Sequence, residues 1–142
     1  MIHVVDASVA AKWFFAESGD HEARELVLSA GALIAPDLIV PEVCNVAWRK
    51  AIKKEITCER AQAIALQLPA LLNRLIPGTD LAPRAIELAI KLQHPVYDCF
   101  YLALAEIAGG ELVTADKKFL KVIGRAGFSG DNIRLISELS PR

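Results

Sequence analysis

The sequence predicts an α/β fold: a mostly parallel sheet of four to five strands with helices on both faces. Three observations lead there. Short β-branched runs recur along the chain, helix-period segments separate them, and parallel neighbours need crossovers that are usually helices. A chain of 142 residues is one domain's worth, so residues 1–142 are expected to form a single domain.

The first strand is Ile2-His3-Val4-Val5, ending at Asp6, and helix formers with bulky apolar residues follow over residues 7–15. Ser18-Gly19-Asp20 interrupts the pattern, residues 21–29 resume a helix, and Leu33-Ile34-Ala35-Pro36 reads as the second strand. The next helix spans about residues 38–54, with Pro41 early and Glu42 in the first turn, where the helix dipole favours negative charge. Helical spacing places Val43, Cys44, Ala47, Trp48 and Ala51 on a packing side and Glu42, Asn45, Arg49 and Lys53 on another. Thr57 is the expected N-cap of a partner helix bearing Ile64, Leu68, Leu71 and Leu72, with Pro69 interrupting it; the two helices would form a hairpin.

Arg74-Leu75-Ile76-Pro77 is the third strand, and Thr79 or Asp80 would cap a helix with Ala82, Ile86, Ala89 and Ile90 along one apolar face. His94-Pro95 ends it. Residues 96–107 are apolar apart from Asp98, Tyr101 and Glu106, which marks a helix buried on most sides, and Gly109-Gly110 stops it. Glu111-Leu112-Val113-Thr114 is the fourth strand, Asp116 leads into a short helix with Phe119 and Leu120, and residues 132–136 form the last strand.

Composition excludes several classes. With 54% apolar and 23% charged residues the chain is neither disordered nor tailed. A net charge of -1 gives no global attraction for nucleic acid, so a polyanion must be held by local charges or a bridging cation. Cys44, Cys58 and Cys99 are odd in number and lack C-x-x-C spacing, which argues against a disulfide framework or zinc knuckle and for thiols in a reducing compartment. The N-terminus lacks the basic and apolar segments of a leader, and no run approaches the roughly 18 apolar residues of a membrane span; the expectation is a cytoplasmic protein without membrane contact. A mean hydropathy of +0.34 is high for so short a chain and points to an oligomer.

Asp6, Glu42, Asp98 and Asp116 all fall at strand-to-helix transitions or in first helical turns. Singly, each has a local explanation as a cap or a dipole partner. Jointly, a parallel sheet carries such positions to one end of the molecule, where ligands bind. Carboxylates about 4 Å apart repel by roughly 4 kcal/mol at an effective dielectric near 20, so a cluster needs protons or a counter-charge. An all-oxygen, acid-rich site suits a hard divalent ion, Mg2+ or Mn2+, rather than zinc. Such an ion can bind a phosphate oxygen and activate a water for attack on a phosphodiester. Asn45, Arg49 and Lys53 on the Glu42 stripe, with Lys50, Lys54 and Lys12 near in sequence, would guide a nucleic-acid backbone; the alternative is an ordinary solvated face.

The runs Val4-Val5-Asp6-Ala7-Ser8-Val9, Pro41-Glu42-Val43, Val96-Tyr97-Asp98-Cys99-Phe100-Tyr101-Leu102-Ala103-Leu104-Ala105 and Leu112-Val113-Thr114-Ala115-Asp116 resemble, in order and spacing, the motifs of the PIN-domain ribonucleases, specifically the VapC toxins. The resemblance covers nearly the whole chain. It implies a PIN-like three-layer sandwich and a metal-dependent endoribonuclease of a type II toxin-antitoxin pair, dimeric and neutralised by a small antitoxin over its acidic cleft. It makes Asp6, Glu42, Asp98 and Asp116 the metal-binding acids, with Asp6 and Asp98 the direct ligands, and sets Ser8 and Thr114 beside them to orient a carboxylate or a ligand water. Where family members often carry a further acid, Lys117-Lys118-Phe119 follow Asp116, which favours one protein-held ion. His3, His21 and His94 match no motif and read as structural or surface residues.

The competing reading is a non-catalytic binding module acting through its apolar helix hairpin near residues 38–72, with the acids as caps. A phosphotransfer receiver would want paired acids after the first strand. A haloacid-dehalogenase-type phosphatase would want a second Asp where Ser8 stands.

Overall fold

The computed structural model describes residues 1–29, 31–126 and 133–136. Every β-branched run named above becomes a strand: β1 (Ile2–Val5), β2 (Ala32–Pro36), β3 (Arg74–Ile76), β4 (Glu111–Thr114) and β5 (Ile133–Leu135). The expected start of the last strand, Asn132, lies outside the described residues. The strands form one sheet in the order β3-β2-β1-β4-β5, and every pairing is parallel. The helices between them are α1 (Ala7–Ala10), α2 (Asp20–Ser29), α3 (Ile39–Ile52), α4 (Cys58–Ala70), α5 (Gly78–Leu92), α6 (Val96–Ala108) and α7 (Lys117–Arg125).

Chain order and strand order together fix the layers. The path runs from β1 outward through β2 to β3, then returns past β1 to β4 and β5. Right-handed crossovers place α1 to α4 over one face and α5 to α7 over the other. The direction reverses between β1 and β4, and the crevice beyond the carboxyl ends of those strands is where such sheets bind ligands. Pairing of Val5 with Val113, continued by the Asp6 amide donating to the Val113 carbonyl at 3.0 Å, sets Asp6 level with Thr114 at that crevice.

The core explains why β1 and β4 hold so firmly. Val4, Val5, Leu112 and Val113 are fully buried, and α6 lies across β1, β2 and β4 with Cys99, Leu102, Ala103 and Ala105 buried. Gly109 ends α6 in the left-handed region at φ 63°, and a Cβ on Gly110 would stand 2.9 Å from the Ile2 carbonyl oxygen, so only glycine lets the chain turn this tightly into β4. Thr57 caps α4 as expected, accepting from the Arg60 amide at 3.0 Å, a bond of the kind that stabilises by about 1 kcal/mol.

Four local expectations need correction. Residues 7–15 form not one helix but α1 followed by a 3-10 turn, Ala11–Trp13, because the Trp13 indole turns inward to donate to the Ala23 carbonyl at 2.8 Å. Neither Thr79 nor Asp80 caps α5. It begins at Gly78, whose amide is met by the Asp37 carboxylate from the end of β2 at 3.0 Å. The inward face of α5 is Leu81, Ala85, Leu88 and Ala89, so Ile86 and Ile90 are exposed, at 50% and 72%. Trp48, expected on the packing side of α3, is 57% exposed. Among the described residues no helix is long and apolar enough to cross a membrane.

Candidate active site

Asp6 stands at the centre of the crevice. Leaving β1 it becomes the N-cap of α1, and packing leaves it only 6% exposed. Its Oδ2 accepts from the Thr114 hydroxyl at 2.8 Å and the Ser8 hydroxyl at 3.0 Å. Those hydroxyls also accept, Ser8 from the Ala115 amide at 3.1 Å and Thr114 from the Asp116 amide at 3.0 Å, so the ends of β1 and β4 are laced together through one carboxylate oxygen. Burial pushes the Asp6 carboxyl up to about 6 from the usual 3.8. The Thr114 bond opposes the rise and the charge of Asp98 adds to it.

Glu42 enters from the first turn of α3, and the Tyr101 hydroxyl, on α6, donates to its Oε1 at 2.6 Å. Its carboxyl is also raised, first by burial, against the Tyr101 bond, and further by the charges of Asp6 and Asp98. Burial and Glu42 together keep the Tyr101 hydroxyl protonated far above its ordinary range, so it is a permanent donor. Asp98, in the first turn of α6, receives His94 Nε2 on its Oδ2 at 2.7 Å. Charge thus acts across three separate elements: Asp98 on Asp6, and both of them on Glu42. Asp116 makes different contacts: it is the N-cap of α7, its Oδ1 accepting from the Lys118 amide at 3.0 Å and the Phe119 amide at 3.2 Å.

A cavity of about 520 Å³ opens at this end of the sheet, lined by Ser8, Glu42, Asn45, Arg49, Lys12 and Ala115 among others; of the four acids Glu42 alone lines it. Asn45 and Arg49 thus share a wall with Glu42, as the helical spacing predicted. Lys53 is not among its lining; it is exposed at the C-cap of α3. Lys12 is tied to Glu17 at 3.4 Å, and Lys50 pairs with Glu55 at 3.6 Å and lies over the Phe15 ring. Thr114 is fully buried with its hydroxyl committed at both ends, so it serves the Asp6 carboxylate and offers no surface to a substrate.

Among the described residues no three His, Cys, Asp or Glu side chains form a ready-made metal cage. The donor set nonetheless fits a hard, hydrated divalent ion, which keeps several waters and asks for one or two carboxylates. Asp6 is a buried carboxylate whose ionised form lacks a cationic partner among the groups acting on it. Two residues that touch these acids have no role assigned by the sequence motifs. Tyr101 was visible as a polar break in an apolar helix, on the same face as Asp98 three residues earlier. His94, which reads as structural or surface from the sequence, stands four residues before Asp98 across a helix start and bonds it.

Residues 3–124 match the PIN domain family, and the chain belongs to it. Within that family it is a VapC protein: it is 32% identical over 117 residues to Ribonuclease VapC3 of Pyrobaculum aerophilum, covering 81% of this chain and 89% of that one. The fold is similar to that of the PAE2754 protein of Pyrobaculum aerophilum, with a TM-score of 0.73 and 20% identity over 98% of this chain and 86% of that one. It is also similar to VapC20 of Mycobacterium tuberculosis, a sarcin-ricin loop cleaving toxin, with a TM-score of 0.67 and 18% identity over 92% of this chain and 98% of that one.

Proposed function

We propose that this chain, a single PIN domain over residues 1–142, is a divalent-metal-dependent endoribonuclease, the toxin of a type II toxin-antitoxin pair. The observation that carries the reading is Asp6, a carboxylate buried at the β1–β4 switch point and disfavoured as an anion both by burial and by Asp98. Family membership and the kinship to VapC3 support the same reading.

Asp6 and Asp98 hold the ion, with Glu42 and the remaining oxygen of Asp116 completing the acidic wall. Held there, Mg2+, or Mn2+ in its place, would supply the missing counter-charge, and its chemistry would be to polarise a phosphate oxygen and to lower the pKa of water for attack on phosphorus. Ser8 and Thr114 fix the Asp6 carboxylate through Oδ2. Tyr101 fixes Glu42 in the same way. Arg49 and Asn45 bind the RNA backbone along the cavity wall, and Lys53 extends that contact at the end of α3.

The partner is a small antitoxin covering the cleft; Trp48 and Ile52, exposed on the same helix as Arg49, offer it apolar area. Exposed Ile86 and Ile90 on α5 support a homodimer, and three free thiols suit the cytoplasm. The test is cleavage of structured RNAs by purified protein with Mg2+ and with EDTA. Cleavage should need the metal, and Asp6→Asn or Asp98→Asn should abolish it while circular dichroism stays unchanged; a variant cutting at the wild-type rate refutes the assignment. The hairpin-module reading predicts instead that these variants change stability alone.

A further inference from the structure

His94 sits in a joint rather than on an element. Gln93 ends α5 in the left-handed region at φ 52°, the His94 amide closes that end by donating to the Ala89 carbonyl at 3.1 Å, and Pro95 starts α6. The joint delivers the imidazole to the start of α6, where Nε2 lies 2.7 Å from Asp98 Oδ2. An ionised carboxylate has only lone pairs to offer, so Nε2 carries the hydrogen and donates. The ring is also held from outside the joint. It stacks on Phe119 of α7, centroids 4.9 Å apart and planes 26° from parallel, and its side chain is only 15% exposed. Phe119 is itself buried, with its amide bound to the Asp116 carboxylate at 3.2 Å.

Two acids of the site are therefore joined through one aromatic stack. Asp116 anchors the first turn of α7, α7 presents Phe119, Phe119 backs His94, and His94 grips one oxygen of Asp98.

We propose that His94 is a positioning residue for Asp98: by holding Oδ2 from a ring clamped against Phe119, it presents Oδ1 to the cation in one orientation. The inference rests on the reading of Asp98 as a metal-holding acid and adds to it the residue that orients the ligand. Partners of ligating carboxylates typically change metal affinity by roughly 10–100-fold when removed, and His94 belongs in that range.

The test is Mn2+ binding by titration calorimetry on metal-stripped protein, with melting temperatures recorded in EDTA for every variant. Asp98→Asn comes first: if it binds Mn2+ as tightly as wild type, or wild type binds none, the metal reading fails and the proposal with it. Given binding that depends on Asp98, His94→Leu, which fills the space without a donor, should weaken Mn2+ by roughly 10–100-fold. His94→Gln, which keeps an N–H donor, should restore most of the loss. Should His94→Leu lower the melting temperature yet bind Mn2+ like wild type, or His94→Gln bind Mn2+ as weakly as His94→Leu, His94 is a helix-joint residue only and the proposal is overturned. A further readout needs no variant: long-range 1H–15N spectra of the wild type should show the His94 ring carrying hydrogen on Nε2, and a ring protonated on Nδ1 alone overturns it.

Discussion

Replacing Asp6 by Asn should make the metal-free protein more stable while destroying its site. The Asp6 carboxyl is raised to about 6 in the folded chain against 3.8 when unperturbed, because burial and Asp98 disfavour its anion. Each pH unit of such a difference corresponds to about 1.4 kcal/mol, so keeping this group ionised at neutral pH costs the fold about 3 kcal/mol. The sign follows from proton binding. Between 3.8 and about 6 the folded state holds a proton that the unfolded state has released, so the contribution is full below 3.8 and is lost as pH rises through about 6. Asn keeps one acceptor oxygen for the Thr114 and Ser8 hydroxyls but loses the second acceptor, which returns about 1 kcal/mol. A net gain of about 2 kcal/mol raises the melting temperature of a chain this size by roughly 4–8 °C. Scanning calorimetry in EDTA measures it at pH 7.5 and again at pH 4, where the advantage of the variant should vanish. An Asn variant less stable than wild type at pH 7.5, or a difference that ignores pH, would refute the reasoning.

Three other perturbations probe the neighbours of Asp6. Thr114→Val, nearly isosteric, leaves Asp6 and the Asp116 amide each short of a partner and should cost about 1–3 kcal/mol in a thermal melt. It should also move the Asp6 carboxyl still higher, seen as a wild-type-like pH dependence of stability displaced to higher pH. Arg49→Ala should weaken RNA binding across sequences and reduce the slope of log affinity against log salt by about 1, with cleavage of bound RNA retained. Asp116→Asn keeps a competent N-cap on α7, so stability should stay within a few tenths of a kcal/mol; RNA cleavage should nonetheless fall by roughly 10–100-fold, as measured by gel assay.

What the sequence disclosed was local. Short runs such as Ile2–Val5 and Glu111–Thr114 are strands because their neighbours in sequence are apolar and β-branched, and the acids at their ends are visible for the same reason. Thr57 and Gly109 are legible as punctuation because capping and the left-handed region depend on one residue and its immediate surroundings. Phase was harder. α5 carries Leu81, Ala85 and Leu88 on one side and Ile86 and Ile90 on another, and only packing on α6 selects between two overlapping apolar stripes. The site partners were hardest, since Tyr101 meets Glu42 across 59 residues and Thr114 meets Asp6 across 108. The Asp37 cap on Gly78 spans 41 residues and belongs to the same class. His94 is nearer to Asp98, but its role depends on a left-handed Gln93 that no composition rule announces.

Whether Asp6 and Asp98 share a divalent cation at the β1–β4 switch point is decided by crystals soaked in Mn2+ and measured at an anomalous wavelength. A strong peak is expected at coordination distance, about 2.1 Å, from carboxylate oxygens of both residues. Anomalous signal confined to other surfaces, with Asp6 and Asp98 left bare at millimolar Mn2+, would contradict it.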